Sequence, residues 1–120
     1  MAQQQSAVSP LSVEMQNAIE ACMSCHTVCE ESLSACMSTD GHAQTQIMRA
    51  LMDCSELTRM CADMMMRRSP MTAEMCTLCS KACEMCAEAC MSMPDDALLM
   101  RCAEACRSCA EMCRSMADAM

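Results

Sequence analysis

Between Cys76 and Cys90 the chain reads CTLCSKACEMCAEAC, with cysteine at 76, 79, 83, 86 and 90. Steps of three and four residues keep these five sulfurs within an arc of roughly 80° on one face of an α-helix. It is the a/d seam of a heptad, with cysteine where leucine is ordinarily found. A second seam, Cys102, Cys106, Cys109 and Cys113, covers roughly 60° by the same geometry. Upstream, Cys22, Cys25, Cys29 and Cys36, then Cys54 and Cys61, keep a compatible phase. All 15 cysteines therefore fit inward stripes on four helices.

A core built this way is made largely of sulfur and alanine. The chain has no aromatic residue, and its 15 cysteines and 19 methionines exceed a quarter of its 120 residues. That length predicts one domain with a modest core. One glycine and three prolines leave few breakers, Ala, Met, Glu and Leu favour helix, and β-branched runs are absent. The expected fold is all-α. A net charge of −8 argues against nucleic acid and anionic membrane surfaces as partners. No stretch approaches the roughly 18 apolar residues of a membrane span. The opening MAQQQSAVSP has neither a basic nor an apolar signal region, and Arg67–Arg68 lie too far in for a twin-arginine signal. The expectation is a cytoplasmic protein whose thiols stay free, the alternative being an exported mature form that has lost its leader.

Residues 1–11 are expected to be a disordered segment ahead of a bundle spanning 12–120. Ser12 predicts a weak N-cap for a helix to about Met37, with Met15, Cys22, Cys25, Cys29 and Cys36 inward and Ser32 interrupting. Gly41 predicts its stop. The second helix is expected from about Ala43 to Arg67, with Ile47, Ala50, Cys54, Leu57, Cys61 and Met64 inward. Ser69 is expected to cap the third helix, with Pro70 in its first position. The third helix should end before Pro94, and Pro94-Asp95-Asp96 should start a fourth, with acids at the positive end of its dipole. Short connections then predict an antiparallel up-down-up-down four-helix bundle.

An isolated buried cysteine is ordinarily an inert small hydrophobe. Fifteen on inward stripes are not, because Ala, Val or Leu would pack there without oxidation risk. Cysteines three or four apart on one helix aim their Cβ atoms poorly for a disulfide, and bridges between helices would not need so many thiols. Structural zinc usually sits on knuckles with turns, whereas Cys22/Cys25 and Cys76/Cys79 lie within helices. The ferredoxin run C-x2-C-x2-C-x3-C-P is not matched. Cu(I) fits better: it is soft, prefers thiolate and thioether, and accepts two or three ligands. Cys-x-x-x-Cys pairs such as Cys25/Cys29, Cys79/Cys83 and Cys109/Cys113 can each grip one ion, and facing helices let sulfurs bridge.

Charge sets the capacity. Buried unpaired thiolates are costly, so each Cu(I) should displace one proton and leave a neutral Cu–S unit. That predicts about one ion per cysteine, about 15 per chain. Most methionines read as flexible filler. The exceptions lie where the 36-to-48 and 91-to-98 connections share one end: Met37, His42, Met48, Met52, Met91 and Met93, candidate auxiliary ligands at a mouth. Met64, Met65, Met66, Met71 and Met116 mark the opposite end, so methionine alone does not identify the mouth. His26 reads as a structural or interfacial residue, and Asp53 and Glu56 as solvated helix faces.

With these residues assembled, the chain resembles the bacterial copper storage proteins over about residues 12–117. The likeness is most specific in CTLCSKACEMCAEAC and RCAEACRSCAEMC, with CMSCHTVCEESLSAC carrying it in the first helix. It implies a four-helix bundle, generally a homotetramer, holding many Cu(I) ions on core cysteines. It also implies that copper enters at the end with the first connection, around Met37, His42, Met48 and Met52. The second helix departs from the pattern in carrying only Cys54 and Cys61.

The expected function is Cu(I) storage or detoxification without catalytic turnover, with a copper chaperone or efflux donor as a candidate partner. No nucleophile–base pair and no phosphate loop is evident. An iron–sulfur electron carrier and a zinc-thiolate buffer remain the alternatives, distinguished by colour and by elemental analysis.

Overall fold

The computed structural model describes residues 10–38 and 44–120. Within them the chain forms α1 (Val13–Met37), α2 (Gln44–Met66), α3 (Thr72–Met91) and α4 (Ala97–Ala119). No strand occurs among the described residues. The expected cap at Gly41 and most of the 1–11 segment lie outside them, as does His42.

Local chemistry accounts for the helix starts. Ser12 is extended at φ −64°, ψ 159°, and its Oγ accepts from Met15 N at 3.1 Å, so a residue that read as a weak cap does cap α1. Asp96 does the same for α4, its Oδ1 accepting from Leu99 N at 3.0 Å. The start of α3 differs from expectation. Ser69 Oγ accepts from Met71 N at 3.1 Å and Ser69 O from Thr72 N at 3.1 Å, forming a turn ahead of the helix. Helical geometry begins only at Thr72, and Met71 in the cap position makes no side-chain cap bond. Arg68, at φ 55°, takes the left-handed conformation that lets α2 end and the chain reverse.

The helices adjoin in the ring order α1–α2–α3–α4, α1 also packing on α4. With short connections this is an antiparallel up-down-up-down four-helix bundle. One end, the connection end, carries the links after α1 and α3. The other, the terminal end, carries Ser12, the α2–α3 turn and Met120.

All 15 cysteines face the bundle axis: Cys36 is 6% exposed and every other one 0%. Hydrocarbon closes the described core toward the connection end through Leu33, Ile47, Leu51 and Leu99. Methionine closes it toward the terminal end through Met64, Met65 and Met116.

The α2 stripe is rotated from the one expected. Leu51, Thr58 and Met65 are fully buried, whereas Ala50 and Leu57 are only half-buried. Ala50 and Leu57 instead line a surface groove of about 180 Å³ between α2 and α3, with Leu78 and Met85. Thr58 can occupy the core because its hydroxyl donates to Cys54 O at 2.7 Å, so its own helix satisfies it. Ser32 has no such solution. It is completely buried, and its Oγ has no hydrogen-bond partner among the described residues.

Candidate metal centre

The three-and-four rhythm of each stripe stacks sulfurs along the axis, and the bundle brings four stripes face to face. Near the terminal end, Cys22 Sγ lies 3.6 Å from both Cys113 and Cys109. Cys61 lies 3.7 Å from Cys76. In the middle, Cys25 is 3.6 Å from Cys106 and 3.7 Å from Cys54, and Cys54 is 3.7 Å from Cys83. Cys54 and Cys106 meet across the α2–α4 diagonal at 3.9 Å. Further toward the connection end, Cys29 is 3.8 Å from Cys102. Along α4, Cys102–Cys106 and Cys109–Cys113 each sit 4.0 Å apart.

No disulfide joins any two of the cysteines. These separations are far beyond the ~2.05 Å of a disulfide. They suit a soft ion. With a metal–thiolate bond near ~2.3 Å, sulfurs 3.6 and 4.0 Å apart subtend roughly 100–120° at the ion, a range that spans the tetrahedral angle and reaches the trigonal one. A linear two-sulfur ion needs about 4.6 Å by the same bond length.

Four groupings have all their sulfurs within 4.8 Å of one another: Cys22/Cys61/Cys79/Cys113, Cys25/Cys29/Cys54/Cys106, Cys29/Cys86/Cys102/Cys106 and Cys25/Cys83/Cys109. A single tetrahedral ion would fit a four-sulfur group. However, Cys25, Cys29 and Cys106 each belong to two groups. Ions each requiring four ligands of their own cannot fill those groups independently, whereas ions bridged by shared thiolates can.

Without metal, protons are held unevenly along the sulfur column. Burial pushes the Cys36 thiol up, reinforced by the Asp96 carboxylate and Cys102. Cys76 is pushed up to about 12, first by its hydrogen bond with Cys113. Cys106 and Cys109 are raised as well, first through their hydrogen bonds with Cys102 and with Cys113 respectively. Cys25 is lowered, first through its hydrogen bond with Cys106. The sulfurs thus share protons as a network, and metal binding to them releases protons.

The candidate mouth residues occupy the connection end as the topology required, but they are not gathered into the core. Met37, Met52 and Met91 are exposed, and Met48 and Met93 half-buried. The Arg107 guanidinium lies against Met91 Sδ. His26 fits its structural reading: Nδ1 hydrogen-bonds Ser55 O at 2.8 Å and Ser55 Oγ at 3.0 Å. Ser55 in turn donates to the Glu30 carboxylate, so this trio joins α1 to α2 beside the sulfur column. Asp53 and Glu56 are exposed helix-face residues. Ser55 and Thr58 were not singled out in the sequence; their only signal is polar residues beside Cys54 on an otherwise apolar stripe.

Three comparisons bear on identity. The family described as copper storage protein matches residues 12–118. Among solved structures, the Cu(I)-bound copper storage protein BsCsp3 is 32% identical, with a TM-score of 0.82 over 87% of this chain and 98% of that one. Apo copper storage protein 3 from Bacillus subtilis is 33% identical, with a TM-score of 0.80 over 85% and 97%. The Streptomyces lividans copper storage protein loaded with 10 copper equivalents is 26% identical, with a TM-score of 0.85 over 93% and 92%. A search of curated proteins found no match. A thiol-lined bundle whose sequence and backbone both follow these proteins nearly end to end belongs to the copper storage protein family.

Proposed function

We propose that this chain stores Cu(I) along the axis of its bundle. The ligands are Cys22, Cys25, Cys29, Cys36, Cys54, Cys61, Cys76, Cys79, Cys83, Cys86, Cys90, Cys102, Cys106, Cys109 and Cys113. The supporting observation is the sharing of Cys25, Cys29 and Cys106 between sulfur groupings, which favours bridged d¹⁰ ions over separate tetrahedral ones. Each ion displaces one thiol proton, so the column stays near neutral while it fills.

The neutrality argument sets the capacity at about 15 ions per chain. Anaerobic titration against a competing chelator, with metal analysis and native mass, should saturate near that number. Saturation near four ions would instead indicate closed tetrahedral sites and a zinc-type buffer. A brown product with visible absorption would indicate iron–sulfur chemistry.

In this reading the protein works without turnover in the cytoplasm, as a homotetramer, taking copper from or giving it to a chaperone or efflux donor. Family resemblance supports the tetramer. Leu78 and Met85, exposed beside the α2–α3 groove, supply apolar surface for it. Copper is admitted at the connection end past Met37, Met48, Met52, Met91 and Met93, and the sequence offers His42 as a further candidate ligand. No helix among the described residues is long and apolar enough to cross a membrane.

A further inference from the structure

Both ends of the sulfur column need closing. Toward the connection end the buried residues that do so are Leu33, Ile47, Leu51 and Leu99, with Met48 and Met93 half-buried against the core. Met65, Met64 and Met116 do so toward the terminal end, with Met15 half-buried against the core. Leucine and methionine exchange at nearly constant volume, so filling space does not require methionine. Methionine also gives up more rotamer freedom when ordered. What it adds is a soft sulfur donor.

A second observation lies outside this layer. A solvent-open cavity of about 360 Å³ occupies the terminal end, lined by Met15 and Met120 together with Ser12, Ser69, Thr72 and Arg68. Two thioethers therefore face solvent on the outer side of the buried methionines. On the inner side of those methionines begins the Cys22/Cys61/Cys79/Cys113 grouping. Thioethers and thiols thus follow one another from water to core. Arg68 also bears on the ligand: a bare cation gains nothing from it, whereas Cu(I) held between two thiolates is anionic and is drawn to it.

The geometry points to a second, thioether-lined Cu(I) port at the terminal end, resting on the storage reading and separate from the mouth at the connection end. Met15 and Met120 accept the ion from an anionic thiolate complex, and Met116 and Met65 pass it to Cys22, Cys61, Cys79 and Cys113. Each step is a ligand exchange without change of oxidation state. Copper–sulfur bonds to the carrier break as bonds to this chain form. The proton released by a core thiol goes to one departing carrier thiolate, and the other leaves as the anion, which carries away the negative charge of the complex. The thioethers bind more weakly than the thiolates, so the ion passes inward instead of stopping at the rim.

The test uses the full chain with ¹³C-methyl methionine. After the thiols are saturated, excess Ag(I), a redox-inert d¹⁰ probe, should shift the methyl signals of Met15, Met116 and Met120 before those of Met60 and Met85, which are exposed on the helices. Simultaneous shifts would overturn the port. In parallel, the Met15→Leu/Met116→Leu/Met120→Leu variant should keep its capacity yet load from Cu(I)–glutathione more slowly by roughly half, the share of one of two parallel routes. Loading at the unaltered rate would also overturn it. Should the variant not fold, the methyl signals of the unsubstituted protein decide alone. A failure of storage itself is distinguishable, because the unsubstituted protein would then never reach its capacity.

Discussion

Replacing Cys106 by alanine isolates what a shared sulfur contributes. Cys106 is fully buried, lies 3.6 Å from Cys25, 3.9 Å from Cys54 and 4.0 Å from Cys102, and belongs to two four-sulfur groupings. In the copper-free protein, deletion removes one methylene-sized apolar group and leaves its cavity, together costing about 1.5 kcal/mol. For a chain of this size that lowers Tm by roughly 5–8 °C. Cys36→Ala is the internal control. Cys36 is 6% exposed at the edge of the column and belongs to none of the groupings among the described residues, so about half that cost is expected. Charge neutrality requires each variant to lose about one Cu(I). Only Cys106→Ala should also weaken the ions that remain, because their bridging ligand is gone. Anaerobic native mass spectrometry counts the ions, chelator competition ranks their affinity, and calorimetry of the apo forms reads stability. A Cys106→Ala protein that lost one ion and held all the others with unaltered affinity would refute bridging in favour of closed, independent sites. One that lost none would refute the matching of ions to thiolates.

Two further outcomes follow from single residues. Ser32→Cys converts a buried hydroxyl with no partner into a thiol on the same stripe; removing that unsatisfied group should stabilise the apo protein by about 1 kcal/mol or more, and titration should find about one additional Cu(I). An unchanged capacity would show that this level of the core holds no copper. The apo protein should also lose stability as pH rises from 9 toward 12, because the folded state retains protons that the unfolded chain releases: Cys76 moves from 9.0 to about 12 and Cys36 is raised. Thiols that are lowered, such as Cys102 at about 5, oppose this near pH 9, where the unfolded chain still holds part of their protons, and above about pH 10 they are ionised in both states. Urea midpoints at about pH 10 and 11.5 check this, and a flat profile would count against the retained protons.

Much of the architecture was legible in the chain itself. Cysteine spacing located the buried face of α1, α3 and α4, because a residue's position around its own helix axis depends on sequence separation alone. Ser12 and Asp96 announced two helix starts, since capping is also local. Where a contact is made by another helix, sequence spacing is silent. The rotation of α2 that buries Leu51 and Thr58 and turns Ala50 and Leu57 outward arose from packing against α1 and α3. So did the Cys54–Cys106 approach across the diagonal, the orphaned Ser32 hydroxyl, and the placing of leucine at one end of the column and methionine at the other. Periodicity determined which residues point inward; the mutual rotation and stagger of four rods, set by how their side chains interlock, decided which of those sulfurs meet.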